Sequence, residues 1–375
     1  MKVGINLLYL LPDVVGGTET YAAGLLEGLA QVGPQHEFMV FVSQESANWP
    51  LPETPNFIRV VCPVWAISRL RRYLFEQFCL PGLLKEYAVD VVHSLGYVSP
   101  LFTPCPSVVT VPDLNYRAFG EQMSISKRLA LGFFVRCSAL RSERVITISR
   151  FSQYEICQAF HLSPDQVIVT LLGSRFASRS AVPADDFTEI QDRLGIKLPY
   201  IIAFSNPNPN KNIPRLLQAF AQAKAHHQLR HQLVLVGHQP ARKVLPTIFS
   251  DEAVRFTGYL DEGTLQSVLA NAQLGVFPSF YEGFGLPVLE AMAAGVPVVC
   301  SNKASLPEVA GDAAVFFDPY SVGDMAQKIA QVVLDPVLRE LLRQKGFRNL
   351  ERFSWEKTAC ETLEIYKRVA RQEAV

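Results

Sequence analysis

Short runs of β-branched and apolar residues alternate with helical patterns along this chain, and the alternation restarts near residue 199. The runs include VGINLL, VDVVHS and RVITIS in the first half, and YIIAFS, LGVFPSF and VPVVCS in the second. Strands that alternate with helices are typical of parallel sheets built from βαβ units. The sequence therefore predicts an α/β protein with two Rossmann-like domains that face each other.

The domain boundaries follow from the place where this pattern weakens. A chain of 375 residues is longer than one hydrophobic core usually serves. Between Ser174 and Pro199 the strand signal gives way to SRFASRSAVPADD and a short helical segment. We predict an N-terminal domain, a linker, a C-terminal domain and a final amphipathic helix, over residues 1–172, 173–198, 199–353 and 354–375.

Composition limits the partners and the compartment. The formal net charge is zero, which argues against nucleic acid because its recognition needs a basic surface. The seven cysteines are scattered without a CxxC pair, which indicates reduced thiols and not disulfides or a zinc site. No apolar run approaches the roughly 20 residues that span a bilayer. The start VGINLLYLL also lacks the cleavage site of a signal peptide. We expect a cytoplasmic protein.

The segment YEGFGLPVLEAMAAG, which begins at Tyr281, indicates a ligand-binding loop followed by a helix. The run LGVF before it predicts a buried strand, Pro287 fits the first helical turn, and Gly295 fits the helix end. Ligands of open α/β sheets bind beyond the carboxyl ends of the strands. This loop lies at such an end.

Backbone groups of this loop are suited to an anion. Gly283 and Gly285 would allow a ligand to approach the backbone closely. The N–H groups of Gly285, Leu286 and Val288 are expected to face a phosphate, which the helix dipole also favours.

Two glutamates flank the turn. Glu282 precedes the helix and Glu290 lies about one turn inside it, so both carboxylates can point to one ligand. A carboxylate accepts hydrogen bonds from vicinal sugar hydroxyls, so one can hold a hexose and the other a ribose. Alternatively, Glu282 is a helix-cap acid and Glu290 a surface residue. The residues alone leave both interpretations open.

The string EGFGLPVLE is similar to the E-x7-E signature of the retaining family 4 glycosyltransferases, which have the GT-B fold. The loop GGTETY, the segment TISRFSQ and the final helix also resemble that family, so the resemblance covers nearly the whole chain. It implies that Glu282 contacts the donor sugar and Glu290 the nucleotide ribose. It also implies that the final helix crosses back toward the N-terminal domain. The other donor-binding residues expected within the motif are Gly283, Phe284, Gly285 and Leu286.

The segment SNPNPNKNIPRLL places Lys211 in a loop before a helix. Its ammonium group is either a solvated charge or a stabiliser of the departing diphosphate, and the resemblance supports the second, catalytic role. Family members commonly have an arginine five residues earlier, where this chain has Asn206. Either Asn206 contacts the phosphate, or Arg175 or Arg150 replaces the arginine.

The segment VVTVPDLNYRAF follows a strand of the first half. Family members usually have His-Asp here, and this chain has Pro112 followed by Asp113. Proline cannot titrate, so Asp113 remains the catalytic candidate and His93 a candidate substitute. A single histidine at a strand end is, however, more often structural.

Gly16 and Gly17 separate the first strand from the first helix, with Thr18 as the expected N-cap and Glu19 in the first turn. A Gly-Gly turn is a good helix start, and it also leaves room for a pyrophosphate beside exposed N–H groups. Together with the glutamate segment, it predicts contact with the donor or the acceptor.

Basic residues are concentrated in two amphipathic stretches of the first half, ISRLRRYLFEQFCLPGLLKEY and the segment 117–150. Core-packed helices with solvated outer faces explain this pattern. The alternative is a surface that docks on an anionic membrane to reach a lipid-linked acceptor.

These features predict an enzyme of polysaccharide biosynthesis that transfers a hexose, with retention, to a glycan or lipid-linked acceptor. The donor is a UDP- or GDP-sugar, with UDP-glucose slightly favoured, and no cofactor is expected beside it. No DxD triplet occurs in the chain, so metal is not expected, and Lys211 with the helix N-terminus would take its place. The resemblance implies front-side attack by the acceptor. The alternatives are a nucleotide-sugar epimerase and a catalytically silent binding subunit, which Asn206 and Pro112 would favour.

Overall fold

The computed structural model describes residues 1–12, 16–119, 124–176, 185–238 and 252–372. The chain divides into two compact units. Unit 1 comprises Met1–Gly173 together with Phe353–Val375, and unit 2 comprises Ser174–Arg352. Part of the predicted linker, residues 177–184, and part of the predicted loop before Gly16, residues 13–15, lie outside the described residues.

Unit 1 contains a seven-stranded sheet in which all the strand pairs are parallel. Helices cover both faces of such a sheet, which is why strands such as VGINL are buried on both sides. The strand order is β3-β2-β1-β4-β5-β6-β7. The strands are β1 Lys2–Leu7, β2 Glu37–Val42, β3 Phe57–Val61, β4 Val91–Ser94, β5 Ser107–Thr110, β6 Arg144–Thr147 and β7 Val167–Val169.

The helices of unit 1 are α1 Gly17–Val32, α2 Arg69–Phe78, α3 Leu80–Glu86, α4 Asn115–Ala118, α5 Ile125–Arg141, α6 Arg150–Phe160 and α14 Trp355–Gln372. The first of them begins at Gly17, and its N-cap is Gly16, with φ 58° and ψ −117°. The prediction of Thr18 as the N-cap was therefore wrong. Only glycine adopts this backbone conformation readily, so Gly16 sets the helix start.

Unit 2 repeats the architecture with six strands in the order β10-β9-β8-β11-β12-β13, again all parallel. The strands are β8 Tyr200–Ser205, β9 Gln232–Gly237, β10 Val254–Gly258, β11 Leu274–Phe277, β12 Val298–Ser301 and β13 Ala314–Phe317. Its helices are α7 Asp185–Leu194, α8 Ile213–His227, α9 Glu262–Ala270, α10 Leu286–Ala293, α11 Leu306–Ala310, α12 Val322–Leu334 and α13 Pro336–Leu350, with a 3-10 turn at Pro209–Lys211.

Both sheets change direction at a central pair of strands, β1 and β4 in unit 1 and β8 and β11 in unit 2. This is the strand order of doubly wound nucleotide-binding folds, in which ligands bind at the switch point beyond the carboxyl ends. The predicted fold class, two Rossmann-like α/β domains, is confirmed. Among the described residues, no helix combines the length and the apolar character that a membrane span requires.

The last helix, α14, belongs to unit 1 and packs on α1. A β-carbon placed on Gly24 would lie 2.2 Å from the ring of Trp355, so glycine is required for this close approach. At the other end of the helix, the Tyr366 hydroxyl lies 2.6 Å from Nδ1 of His93. The final helix therefore completes the core of the N-terminal sheet.

Candidate functional site

The loop after β8 is fixed by three asparagines. Asn206 Oδ1 accepts a hydrogen bond of 3.0 Å from the backbone N–H of Asn208, which closes a local turn. The side-chain amide of Asn210 donates to Tyr281 O at 3.0 Å, and that of Asn212 donates to Pro278 O at 3.0 Å. The loops after β8 and β11 are thus joined at the switch point of unit 2.

Lys211 and Glu282 meet where these two loops join. Lys211 Nζ donates to Glu282 Oε1 at 2.6 Å, and Ser279 Oγ donates to the same oxygen at 2.6 Å. Each of the two charged side chains is 17% exposed, so the pair is partly shielded and still open to solvent. The alternative in which Glu282 only caps the following helix is not what the structure shows.

Ser305 holds the backbone of the EGFG turn. Its hydroxyl lies 2.8 Å from Glu282 O and 2.6 Å from Phe284 O. Gly285 has φ +114°, and a β-carbon there would lie 2.7 Å from a methyl group of Leu306. The turn therefore needs glycine for its backbone conformation and for the approach of α11.

Helix α10 begins directly after this turn, with Gly285 as its N-cap and Pro287 in its first turn. The N–H of Val288 donates to Gly285 O at 2.9 Å. The prediction that this N–H faces an anion was therefore wrong, and Pro287 has no N–H to offer. The groups left for a ligand at this turn are those of Gly285 and Leu286. The helix ends as predicted, because Gly295 follows its C-cap with φ +74°.

Glu290 lies in the second turn of α10, and its side chain is 2% exposed. Arg175 contacts Oε1 of this carboxylate with two nitrogens, Nε at 2.7 Å and Nη2 at 2.6 Å. Burial raises the pKa of Glu290 above its usual range, and the Arg175 guanidinium opposes that increase. The alternative of a surface glutamate is wrong. Arg175, which was considered as a replacement for the arginine of the family, pairs with Glu290.

The residues Lys211, Glu282, Gly285 and Leu306 line a small cavity of about 10 Å³. This is roughly the space that one water molecule needs.

The structure brings the predicted residues together in two pairs, Lys211 with Glu282 and Glu290 with Arg175. The Asn206 side chain is used in its own turn. Sequence reasoning missed Ser279 and Ser305, although Ser279 stands three residues before Glu282, a spacing at which a hydroxyl can reach the later side chain.

In unit 1, Asp113 follows β5 and anchors α4. Its Oδ1 accepts hydrogen bonds from the Tyr97 hydroxyl at 2.9 Å and from the Asn115 N–H at 3.0 Å. Gly16 and Gly17 stand at the start of α1, with open space where a β-carbon would lie.

His93, by contrast, is fully buried. Its ring nitrogens lie 2.6 Å from the Tyr366 hydroxyl and 2.7 Å from Thr110 Oγ1, and burial lowers its pKa to about 3. It is a neutral core histidine and not the substitute for the missing family histidine. Nor do the described residues contain a cluster of three or more His, Cys, Asp or Glu side chains that could hold a metal ion.

In a comparison with known proteins, each unit matches a family model of glycosyltransferases. A family model described as Glycosyltransferase Family 4 matches residues 15–173, and one described as Glycosyl transferases group 1 matches residues 186–349.

Individual relatives agree with these matches. The chain is 32% identical over 312 residues to the O-antigen chain mannosyltransferase B of Escherichia coli, covering 81% of this chain and 76% of that protein. It is also 32% identical over 238 residues to the MMP alpha-(1->4)-mannosyltransferase of Mycolicibacterium hassiacum, covering 61% of this chain and 55% of the relative.

Among solved structures, Anabaena Alr3699/HepE in complex with UDP and glucose superposes with a TM-score of 0.73 at 18% identity, over 98% of this chain and 99% of that one. An identity this low supports the fold alone. The family models and the Escherichia coli relative go further, and the chain therefore belongs to the family 4 glycosyltransferases with the GT-B fold, as an enzyme of the hexosyltransferase type.

Proposed function

We propose that the chain transfers a hexose, with mannose as the first candidate, from a nucleoside diphosphate sugar to a hydroxyl of a glycan acceptor in polysaccharide biosynthesis. The observation that carries the proposal is the arrangement at the unit 2 switch point, where Lys211 meets Glu282 and Arg175 meets Glu290. Mannose is favoured because two relatives are named mannosyltransferases. UDP-glucose is the donor to compare, since a protein of the same fold binds UDP and glucose.

Glu282 would bind the hexose, and Lys211 the diphosphate. The ammonium group of Lys211 has three donors, so it can keep Glu282 and still reach a phosphate oxygen. Ser279 holds the same carboxylate oxygen, Oε1, which leaves Oε2 for sugar hydroxyls. The donor-binding assignments of Gly283, Phe284, Gly285 and Leu286 rest on the same turn.

Glu290 would bind the ribose of the nucleotide. Both contacts from Arg175 use Oε1, and Oε2 accepts no hydrogen bond from the described residues. Arg175 therefore holds the buried carboxylate in place and compensates its charge. Because that guanidinium is engaged, we do not assign it to the diphosphate, and we keep Asn206 as a neutral neighbour of the phosphate.

The transfer step exchanges one bond at the anomeric carbon and moves one proton. The acceptor oxygen bonds to the anomeric carbon on the face from which the diphosphate departs, which gives retention. The bond between that carbon and the diphosphate oxygen breaks, and the acceptor proton passes to a phosphate oxygen of the leaving group. Lys211 and the N-terminus of α10 would stabilise the charge that develops there, without a metal ion or a cofactor.

Unit 1 would supply further contacts. Gly16 and Gly17 offer an open helix start suited to an anionic group, and Asp113 offers a carboxylate that is already oriented by Tyr97. We assign the two glycines to donor contact and Asp113 to the acceptor hydroxyl.

Measurements of donor binding and of turnover test these assignments separately. A thermal-shift comparison of GDP-mannose with UDP-glucose identifies the donor, because a ligand stabilises the protein that binds it. Lys211→Ala should then lower kcat by about 10²–10³ while donor affinity stays within about tenfold, since its charge acts mainly in the transition state. Lys328→Ala, a lysine on α12, is the matched control and should behave like wild type.

Three results would contradict the proposal. A new sugar nucleotide formed from donor alone would show an epimerase. Donor binding without transfer to any glycan acceptor would show a silent binding protein. A product of inverted anomeric configuration in the NMR spectrum would exclude the front-side step.

A further inference from the structure

Two neighbouring helices of unit 1 expose rows of apolar side chains. On α2 the row is Leu70, Leu74 and Phe78, which are 70%, 49% and 77% exposed. A spacing of four residues puts them on one face of the helix. Most helices of a globular domain bury such a row, so this face is unusual.

Helix α5 repeats the pattern. Its row is Ile125, Leu129 and Phe133, which are 78%, 69% and 60% exposed. Of the nineteen large apolar side chains that are exposed among the described residues, seven lie on α2 and α5, so the exposure is concentrated there.

A ring contact joins the two helices. The ring of Tyr73 on α2 lies 4.8 Å from that of Phe134 on α5, measured between centroids. Phe134 in turn lies 5.7 Å from the exposed Phe133 ring. These contacts make α2 and α5 neighbours, and we call the surface that carries their two exposed rows the α2–α5 face.

The charge on this face has one sign. Its exposed ionisable residues include Arg69 and Arg71 on α2, and Lys127 and Arg136 on α5. Helix α5 contains no acidic residue, and the only one on α2, Glu76, is 2% exposed. Nothing on the two helices neutralises these cations at the surface.

We propose that the α2–α5 face docks on an anionic lipid bilayer. Helices that lie in the membrane interface combine an apolar row at the acyl boundary with basic residues at the headgroups. A second copy of the chain is a poorer occupant, because an isologous contact through this face would place like charges opposite each other. The proposal goes beyond the transfer reaction, and it gives the enzyme access to acceptors carried on a membrane.

Vesicle binding tests the proposal without donor or acceptor, so it can fail independently of the proposed function. The full chain is sedimented with vesicles of phosphatidylcholine alone and of phosphatidylcholine mixed with phosphatidylglycerol. Wild type should bind only the anionic vesicles, and added salt should release it. Arg71→Glu with Lys127→Glu should weaken binding by about 25-fold or more, since each basic residue near an anionic surface is worth about fivefold.

Serine substitutions of exposed apolar residues test the two apolar rows of the face. Phe78→Ser with Leu129→Ser should weaken binding by about tenfold or more, because these side chains would leave the acyl boundary. The matched controls lie in unit 2: Arg230→Glu with Arg348→Glu for charge, and Leu334→Ser with Val337→Ser for apolar exposure. They should bind like wild type.

Four results would overturn the proposal. Wild type that ignores the anionic vesicles, or that binds both kinds of vesicle equally, would exclude electrostatic docking. So would α2–α5 variants that bind like wild type. A wild-type dimer in sedimentation equilibrium that Phe78→Ser with Leu129→Ser disperses would show instead that a second copy covers the face.

Discussion

Glu76 and Glu290 are both glutamates with side chains that are 2% exposed, and the structure accommodates them differently. Glu290 receives two short contacts from Arg175. Glu76, on α2, lies 3.8 Å from Nε of Arg72, and its Oε2 has no hydrogen-bond partner. Burial raises the pKa of Glu76 to about 7, against the lowering influence of Arg72 and a hydrogen bond from Asn6. The charge of the Glu76 carboxylate is thus less well compensated than that of Glu290.

This difference predicts a pH dependence of stability. Between about pH 4.5 and 7 the folded state keeps a proton on Glu76 that the unfolded chain has lost, so stability falls as the pH rises through that window. Glu76→Gln removes the titrating group. Relative to wild type, the variant should gain up to about 3 kcal/mol of unfolding free energy between pH 4.5 and pH 8.

Denaturant unfolding followed by tryptophan fluorescence measures this gain. The three tryptophans, Trp49, Trp65 and Trp355, all lie in unit 1, so the signal reports on the unit that contains Glu76. His93 titrates in the opposite sense, because its pKa is lowered to about 3 and its contribution to stability rises with pH up to about 6.5. Its contribution cancels when variant and wild type are compared at each pH. A difference that does not change with pH would show that folding does not raise the pKa of Glu76.

The sequence singled out residues that the structure brings together, but it did not predict their partners. Lys211 and Glu282 were both chosen from their loops, yet they bond to each other across 71 positions of sequence. Arg175 and Glu290 pair across 115 positions. Local patterns report caps, turns and faces, whereas a long-range ion pair depends on how the strands are ordered in the sheet.

At the scale of elements, most strands were predicted because β-branched runs between helical patterns are a strong local signal. The strand β13, Ala314–Phe317, was missed. It has only four residues, and its sequence AVFF follows a turn-like GD without alternation. A short apolar run of this kind cannot be assigned from periodicity alone.

The packing of α1 on α14 gives a prediction at this scale. Gly24→Ala should destabilise unit 1 by about 1–3 kcal/mol, because the added methyl group would overlap the Trp355 ring, which lies 2.2 Å from the position of a β-carbon. Helix propensity alone would give the opposite sign, by up to about 1 kcal/mol. Gly82→Ala on α3, where a β-carbon meets no atom within 4 Å, is the control and should be neutral or stabilising.

Denaturant unfolding with the tryptophan signal compares the two variants. The double variant Gly24→Ala with Trp355→Ala should cost less than the sum of the single changes, because the ring that the methyl group meets is gone. If Gly24→Ala is as stable as wild type, the two helices can separate without cost, and the close approach does not contribute to stability.

At the scale of the whole molecule, the two units repeat one strand order. The alternation of strand-like runs and helical patterns, which restarts near residue 199, predicted this repetition. The chain nevertheless does not divide at a single point, because residues 353–375 belong to unit 1. Unit 2 takes every member of its main core cluster from residues 201–342. The last helix is therefore needed by the unit that is farthest from it along the chain.

Deletion of residues 354–375 should consequently unfold unit 1 and spare unit 2. The deletion removes four large buried apolar side chains from unit 1, those of Leu363, Ile365, Tyr366 and Val369, together with the smaller Ala359. At roughly 1.5–3 kcal/mol each, their loss would equal most of the 5–15 kcal/mol that stabilises a typical domain. The loss of Tyr366 also leaves Nδ1 of His93 without the hydroxyl that lies 2.6 Å away.

Two measurements on the truncated chain check the outcome. The emission of Trp49, which is 6% exposed in the intact fold, should shift to the red as unit 1 opens. Limited proteolysis should degrade residues 1–173 and leave a resistant fragment close to residues 174–352. Digestion of both units at the same rate would show that they unfold as one cooperative body, and an unchanged Trp49 spectrum would show that the core of unit 1 forms without its last helix.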